Sequence, residues 1–327
     1  MNKVKIDSIL KLNYKYQKDI EKQARNKVSI ALVACSLVFI AQLVFSFIQI
    51  DITEYFPELS NGYLSILMDI VMYVCYIGLP FLLAFYLFKF SKKTENNITV
   101  KRSSPKKPFL FIMGSLGCCF IVNLTAQLLF PFLSELGETP TPVAETPLEI
   151  FLIFCMYAIL PAMLEEWAFR GVLLKNLLPY GKWGAIVISA ILFGFGHLHP
   201  TSIINAVTFG IFLGICYEYT NSLKLPMLAH FINNTIATIA MLAPEQSLLF
   251  YLTGISIYVF IGCAIAAIIY YRKHSINRYK LTLIKPTIQG YKLSCARYLK
   301  KLLFNVAIIP YVIIFVFFFY IAFLIEI

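Results

Sequence analysis

Three short stretches of this chain hold residue types that could do chemistry. The first reads Leu164-Glu165-Glu166-Trp167-Ala168-Phe169-Arg170. On a helix, adjacent glutamates project about 100° apart. Glu166 and Arg170 are four residues apart, share a face and can pair. Glu165 is five residues from Arg170 and is left without that partner. The spacing divides the two acids into a structural one and a chemical one. The second stretch is Phe193-Gly194-Phe195-Gly196-His197-Leu198-His199-Pro200. His197 and His199 point to nearly opposite faces, and Phe193, one turn earlier, can pack against the His197 ring. His199 abuts a loop and reads as structural. The two glycines allow close helix approach. The third stretch is His230-Phe231-Ile232-Asn233-Asn234, in which His230 and Asn234 share a face and Asn233 is displaced from it.

Glu and His are the usual pair for activating water as a general base. A second His and an Asn can donate to a developing oxyanion. Glu165, His197 and His230 would also suit a catalytic zinc ion with one open coordination position. The residues leave the choice between zinc and a metal-free mechanism open. Each stretch alone has a plainer explanation: a solvated ion cluster at a helix end, a structural histidine, or hydrogen bonding between helices by polar side chains. Their surroundings favour the chemical reading.

The chain has 327 residues, 59% of them hydrophobic and only 14% charged. A soluble domain has about 45–50% apolar and about 25% charged residues. The apolar residues fall into blocks, and a run of roughly 18 or more marks a transmembrane helix. Nine blocks are legible: Val28–Ile50, Tyr63–Phe88, Pro108–Leu133, Pro147–Leu174, Trp183–His199, Ile203–Tyr219, Leu225–Leu242, Leu248–Tyr271 and Leu303–Ile325. Lipid offers the backbone no hydrogen bonds, so these blocks should be helices. The expected fold is all-α: a polytopic integral membrane bundle of about nine transmembrane helices.

The charges support this count. All 28 Lys and Arg residues fall before the first block, at the end of the fourth, or in alternate loops. Cytoplasmic loops collect these residues. A plasma-membrane protein is expected, with its N-terminus cytoplasmic and its C-terminus outside. The net charge of +11 is then a topological signature. It needs no nucleic-acid partner, and no recognition motif accompanies it. Seven of the eight cysteines lie in apolar blocks and Cys295 lies in a cytoplasmic loop, so no disulfide scaffold is expected. The first block is too long for a cleavable signal core.

The expected organisation is a basic N-terminal segment over 1–27, of which 14–27 could lie as a helix on the inner leaflet. A membrane bundle follows over 28–271, with its active-site core at 148–243. A basic cytoplasmic loop spans 272–302, and one more transmembrane helix spans 303–327. An ionisable group in a membrane helix costs about 2.5–3.5 kcal/mol on insertion scales, so it is a functional candidate by default. The first and third blocks have none and the second has only Asp69. Glu149 and Glu218 sit near block ends within reach of water. The concentrated set lies on the fourth, fifth and seventh blocks.

The motifs EExxxR (Glu165, Glu166, Arg170), FxxxH (Phe193, His197) and HxxxN (His230, Asn234), in that order, resemble the CAAX protease and bacteriocin-processing family of intramembrane peptidases. Its eukaryotic members are the type II CAAX prenyl endopeptidases. The resemblance covers roughly residues 148–243. It implies that Glu165 and His197 activate water and that His230 and Asn234 form the oxyanion site. It leaves the cofactor open between Zn2+ and none. Bacterial members often have no prenylated substrate, and some resemble bacteriocin immunity or peptide-maturation proteins. The expected activity is endoproteolysis of a small peptide or of a membrane or lipidated protein, with the lipid bilayer as the other partner. HExxH, GxSG and GxGD, the marks of other intramembrane peptidases, are absent. A non-catalytic scaffold or immunity factor on the same fold is the second reading. A transporter built on the short fifth to seventh blocks is the third.

Overall fold

The structure is a computed structural model that describes residues 3–60, 62–91, 108–130, 144–198, 200–275 and 293–324. His199, most of the 139–147 loop, most of the basic stretch 89–107 and residues 276–292 of the basic loop lie outside the described residues. Every described element is helical: α1 (Lys3–Tyr55), α2 (Gly62–Phe90), α3 (Pro108–Leu129), α4 (Pro147–Tyr180), α5 (Lys182–Phe195), α6 (Pro200–Thr220), α7 (Lys224–Leu242), α8 (Leu248–Ser275), α9 (Cys295–Leu303) and α10 (Ile308–Leu324). A short 3-10 turn, Pro57–Ser60, joins α1 to α2.

The nine apolar blocks are all helical, but they differ as spans. Among the described residues, seven helices are long and apolar enough to cross a membrane, and an eighth span arises if the pair α9 and α10, bent by 73°, is one crossing. The fifth block forms α5, whose 14 residues reach only about 21 Å at 1.5 Å per residue, short of a hydrocarbon core of about 30 Å. Ten of its residues are buried by neighbouring helices, so protein rather than lipid surrounds most of it.

Four boundaries differ from the sequence expectation, each for a local reason. No glycine or proline occurs between residues 3 and 55, so the basic N-terminal segment continues into the first span as one helix of 53 residues. Residues 14–27 are therefore not a separate helix on the inner leaflet. The fourth block runs on to Tyr180, where Pro179 and Gly181 end it. Leu303 is not the start of a straight ninth helix but the end of α9. Cys295 opens α9 rather than lying in a loop, and the cap is Ser294, whose hydroxyl accepts the Arg297 amide. Glu149 is not bathed in water either. It is 7% exposed and closes a capping box at the start of α4. Its Oε2 accepts the Thr146 amide, and the Thr146 hydroxyl accepts the Glu149 amide. Glu218 pairs with Lys182 at 2.7 Å, joining α6 to α5. All eight cysteines are free.

Two apolar cores hold the bundle. One joins α1, α2, α4, α5, α6, α9 and α10, and the other joins α3, α6, α7 and α8. Close approach within them depends on missing Cβ atoms. A methyl on Gly117 would overlap the Phe260 carbonyl of α8, and one on Gly184 would overlap the Tyr298 ring of α9. Gly194 lets α5 reach the Ile203–Val207 backbone of α6, as the sequence suggests, whereas a methyl on Gly196 would meet only the carbonyls of its own helix. The bent C-terminal pair is tied to the rest by polar contacts. The Tyr298 hydroxyl donates to the Leu177 carbonyl, and Lys301 pairs with Glu21 at 2.7 Å. Outward-facing positions such as Phe47, Val71, Leu128 and Ile269 are exposed and apolar, as lipid contact requires. The chain is a multi-pass membrane protein.

Candidate active site

The site is built on α4, α5, α6 and α7, with one contribution from α2. Helix α4 is irregular where the two acids sit. Residues Cys155–Ile159 and Glu166–Leu174 are π-helical, with the Leu160 amide bonding to the Cys155 carbonyl and the Lys175 amide to the Arg170 carbonyl. Pro161 has no amide to give, and a π turn before it redistributes the freed carbonyls. Wide turns of this type occur mostly at functional sites. Glu165 and Glu166 fall at the junction, well inside α4 rather than at its C-terminal end.

Glu166 and Arg170 form the ion pair that their spacing predicts. Arg170 Nη1 lies 2.8 Å from Glu166 Oε1, and both side chains are 0% exposed. Arg170 Nη2 also donates to the Gly210 carbonyl at 3.3 Å. That approach needs a glycine, because a Cβ there would press on Ala190 and on the Phe193 ring. The guanidinium lies 4.5 Å from the Phe193 ring centroid.

His230 joins the two acids. Its Nδ1 is 2.9 Å from Glu166 Oε1. An ionised carboxylate only accepts, so Nδ1 is the donor in this contact, and Nε2 makes no hydrogen bond among the described residues. Nε2 lies 3.7 Å from Glu165 Oε2. The rings of Phe193 and Phe209 stand edge-on to the imidazole, both at 88°, and fix its plane. Glu165 is 14% exposed, and its other oxygen, Oε1, accepts the Tyr73 hydroxyl at 2.6 Å. Glu165 Oε2, Glu166 Oε2 and Arg170 Nε are buried with no hydrogen-bond partner among the described residues. Three such atoms at one place are uncommon in a structural network.

The other two residues singled out from the sequence lie beside this network. His197 sits just past the end of α5, exposed, with Nδ1 3.1 Å from the Phe193 carbonyl and its ring 5.0 Å from that of Phe193. Leu198, next to it, has φ 59°, a strained value for a leucine, where the chain turns toward α6. Asn234 lies one turn beyond His230 on α7. Its Oδ1 accepts from Asn233 at 3.1 Å, and its carbonyl accepts the Thr238 hydroxyl. Among the described residues, the ion pairs within 4.0 Å of the two glutamates come from Arg170 and His230, not from His197.

The zinc set fits poorly. Zinc takes its protein ligands at about 2.0–2.2 Å. His230 Nδ1 is engaged by Glu166, Nε2 stands off Glu165, and His197 is apart from both acids. No group of three or more His, Cys, Asp or Glu among the described residues is placed to hold a metal ion.

The sequence does not reveal Tyr73, Phe209 or Gly210. None is ionisable at neutral pH, and Tyr73 is one of 20 tyrosines spread through the chain. Asp69, the acid that does stand out on α2, is instead bound to Gln49 at 2.7 Å.

Comparison with curated proteins and with solved structures returns no match. A family model does match. Residues 147–236, less than a third of the chain, fit the family described as type II CAAX prenyl endopeptidase Rce1-like. That stretch contains all of α4, α5 and α6 and the part of α7 that bears His230 and Asn234. The stretch that carries the ordered motifs and the buried site built by α4 and α7 is thus the part of the chain that is similar to the type II CAAX prenyl endopeptidase Rce1-like family.

Proposed function

We propose that this protein is an intramembrane endopeptidase that hydrolyses a peptide bond in a small peptide or in a membrane or lipidated protein, with Glu165 as the base. The observation that carries this reading is the division of labour between the two acids. Glu166 is spent on Arg170 and on His230 Nδ1, while Glu165 keeps one buried oxygen without a donor beside the free nitrogen of His230. A water there would give its proton to Glu165 as its oxygen adds to the scissile carbonyl carbon. The carbon–nitrogen bond then breaks, and the proton passes to the departing amine. Glu165 and His230 sit side by side, which supports this histidine as the group next to the attacking water. His197 and Asn234 do not touch the carboxylates, and in this reading they donate to the peptide itself. No step is routed through a metal.

The test is comparative peptidomics of cells carrying the wild-type protein and cells carrying Glu165→Ala. We expect a full-length precursor that persists in the variant and is shortened in the wild type. Identical peptide profiles, with both proteins equally abundant, would leave the non-catalytic scaffold as the better account.

The orientation is part of the proposal: with the short, protein-buried α5 counted as a ninth crossing, the N-terminus is cytoplasmic and the C-terminus outside, in the plasma membrane. In a cysteine-free background, an impermeant maleimide added outside should label a cysteine placed at Glu54 and spare one placed at Ser91. These exposed positions lie at opposite ends of the α1–α2 hairpin. Labelling in the reverse pattern would invert the topology.

A further inference from the structure

We propose that Tyr73 on α2 is a positioning residue for this reaction: its phenol holds Glu165 so that one chosen oxygen faces His230. This rests on the reading of Glu165 as the base. The hydrogen bond from Tyr73 Oη to Glu165 Oε1 is 2.6 Å, the short range of a hydroxyl on a carboxylate. It spans 92 residues of sequence and links α2 to α4. Tyr73 is itself fixed, being 7% exposed and standing edge-on to Tyr76 at 79°. A free carboxylate rotates about its terminal bond, which has a broad, roughly two-fold profile. With Oε1 anchored, Oε2 is the oxygen left 3.7 Å from His230 Nε2. Glu166 plays the matching part on the other side of the ring, since it fixes which nitrogen of His230 is free. The base and its neighbour are each set by a second residue, the usual architecture of a prepared site.

A tyrosine buried between two helices could equally be there for packing alone. Two measurements separate the roles, and the first needs no substrate. Thermal unfolding in detergent is followed for wild type, Tyr73→Phe, Glu165→Met and the double variant. If the phenol is bound to this carboxylate, the shifts in Tm of the two single changes will not add, because once Glu165 is gone the hydroxyl has nothing left to lose. Additive shifts overturn the proposal, whatever the protein cleaves.

The second measurement is kinetic, with the precursor from the peptidomics comparison or a quenched farnesylated CAAX-type peptide as the probe. Tyr73→Phe should lower kcat by about 10–100-fold with KM within about twofold, since a misplaced base loses rate without losing substrate. Tyr86→Phe removes an exposed hydroxyl farther along the same helix, away from Glu165, and it should leave kcat unchanged. Equal losses in both variants, or a rise in KM alone, would make Tyr73 a packing residue. A wild-type protein that cleaves neither probe counts against the peptidase reading, and the thermal cycle still decides whether Tyr73 holds Glu165.

Discussion

Glu166→Gln should destabilise the folded protein by about 3–5 kcal/mol, the cost of leaving a buried charge without its partner. Arg170 is the charge in question. It is wholly buried, and Glu166 Oε1, 2.8 Å away, is its nearest counter-charge. The remaining support, the Gly210 carbonyl and the Phe193 face, is dipolar and does not neutralise it. Glutamine keeps the shape and can still accept from both Arg170 and His230, so the loss measures charge rather than packing. Adding Arg170→Met removes the orphan and should recover much of the stability. Recovery will be incomplete, because the Gly210 carbonyl, although it keeps its helical amide, loses the second donor that Arg170 supplies, at about 0.5–1.5 kcal/mol. Cleavage should recover less than stability does, since His230 Nδ1 then meets a neutral amide and the ring is held less firmly. Thermal unfolding of the two variants in detergent provides the check. A Glu166→Gln protein as stable as wild type, or a double variant no more stable than the single one, would show that the pair has been assigned wrongly.

The pair was legible because spacing carries it. Four residues on a helix bring side chains together whatever surrounds them, and they still do so where α4 opens into a π-helix. The fold class was legible for a similar reason. Blocks of apolar residues and one-sided basic charge follow from lipid and from topology, and they need no tertiary detail. What the sequence could not reveal depends on which helices meet. The Tyr73 bond joins α2 to α4, and the seat of Arg170 uses a backbone carbonyl of α6. Apolar character fades after Leu174 although the helix continues to Tyr180, so the plainer reading of the acids as an ion cluster at a helix end fails on the length of α4. The partners of Glu149 and Glu218 are not legible either, because a carboxylate near a block end shows only its nearness to water until the fold is seen. One was a helix cap and the other an ion pair across helices.

Glu165→Gln should behave in the opposite way to Glu166→Gln: cleavage falls by about 10²–10⁴-fold, the contribution of a placed general base, while the protein stays folded and abundant. The geometry gives the reason for both halves. The Tyr73 hydroxyl can donate to the glutamine oxygen as it does to Glu165 Oε1, so the side chain keeps its position. The amide nitrogen then takes the place of Oε2, which has no donor in the native site. It faces His230 Nε2, which lies 3.7 Å from Oε2 in the native site. A buried, half-satisfied carboxylate is thus exchanged for a neutral amide that keeps the Tyr73 bond. The Tm should therefore hold or rise, since an unmatched buried charge is costly. Loss of the base with gain of stability is the mark of a residue kept for chemistry rather than for the fold. Measuring unfolding and turnover on the same purified variant tests both halves together. If Glu165→Gln loses as much stability as Glu166→Gln, Glu165 belongs to the structural network. If it cleaves at the wild-type rate, the base lies elsewhere, and His197, the exposed histidine past the end of α5, is the next residue to change.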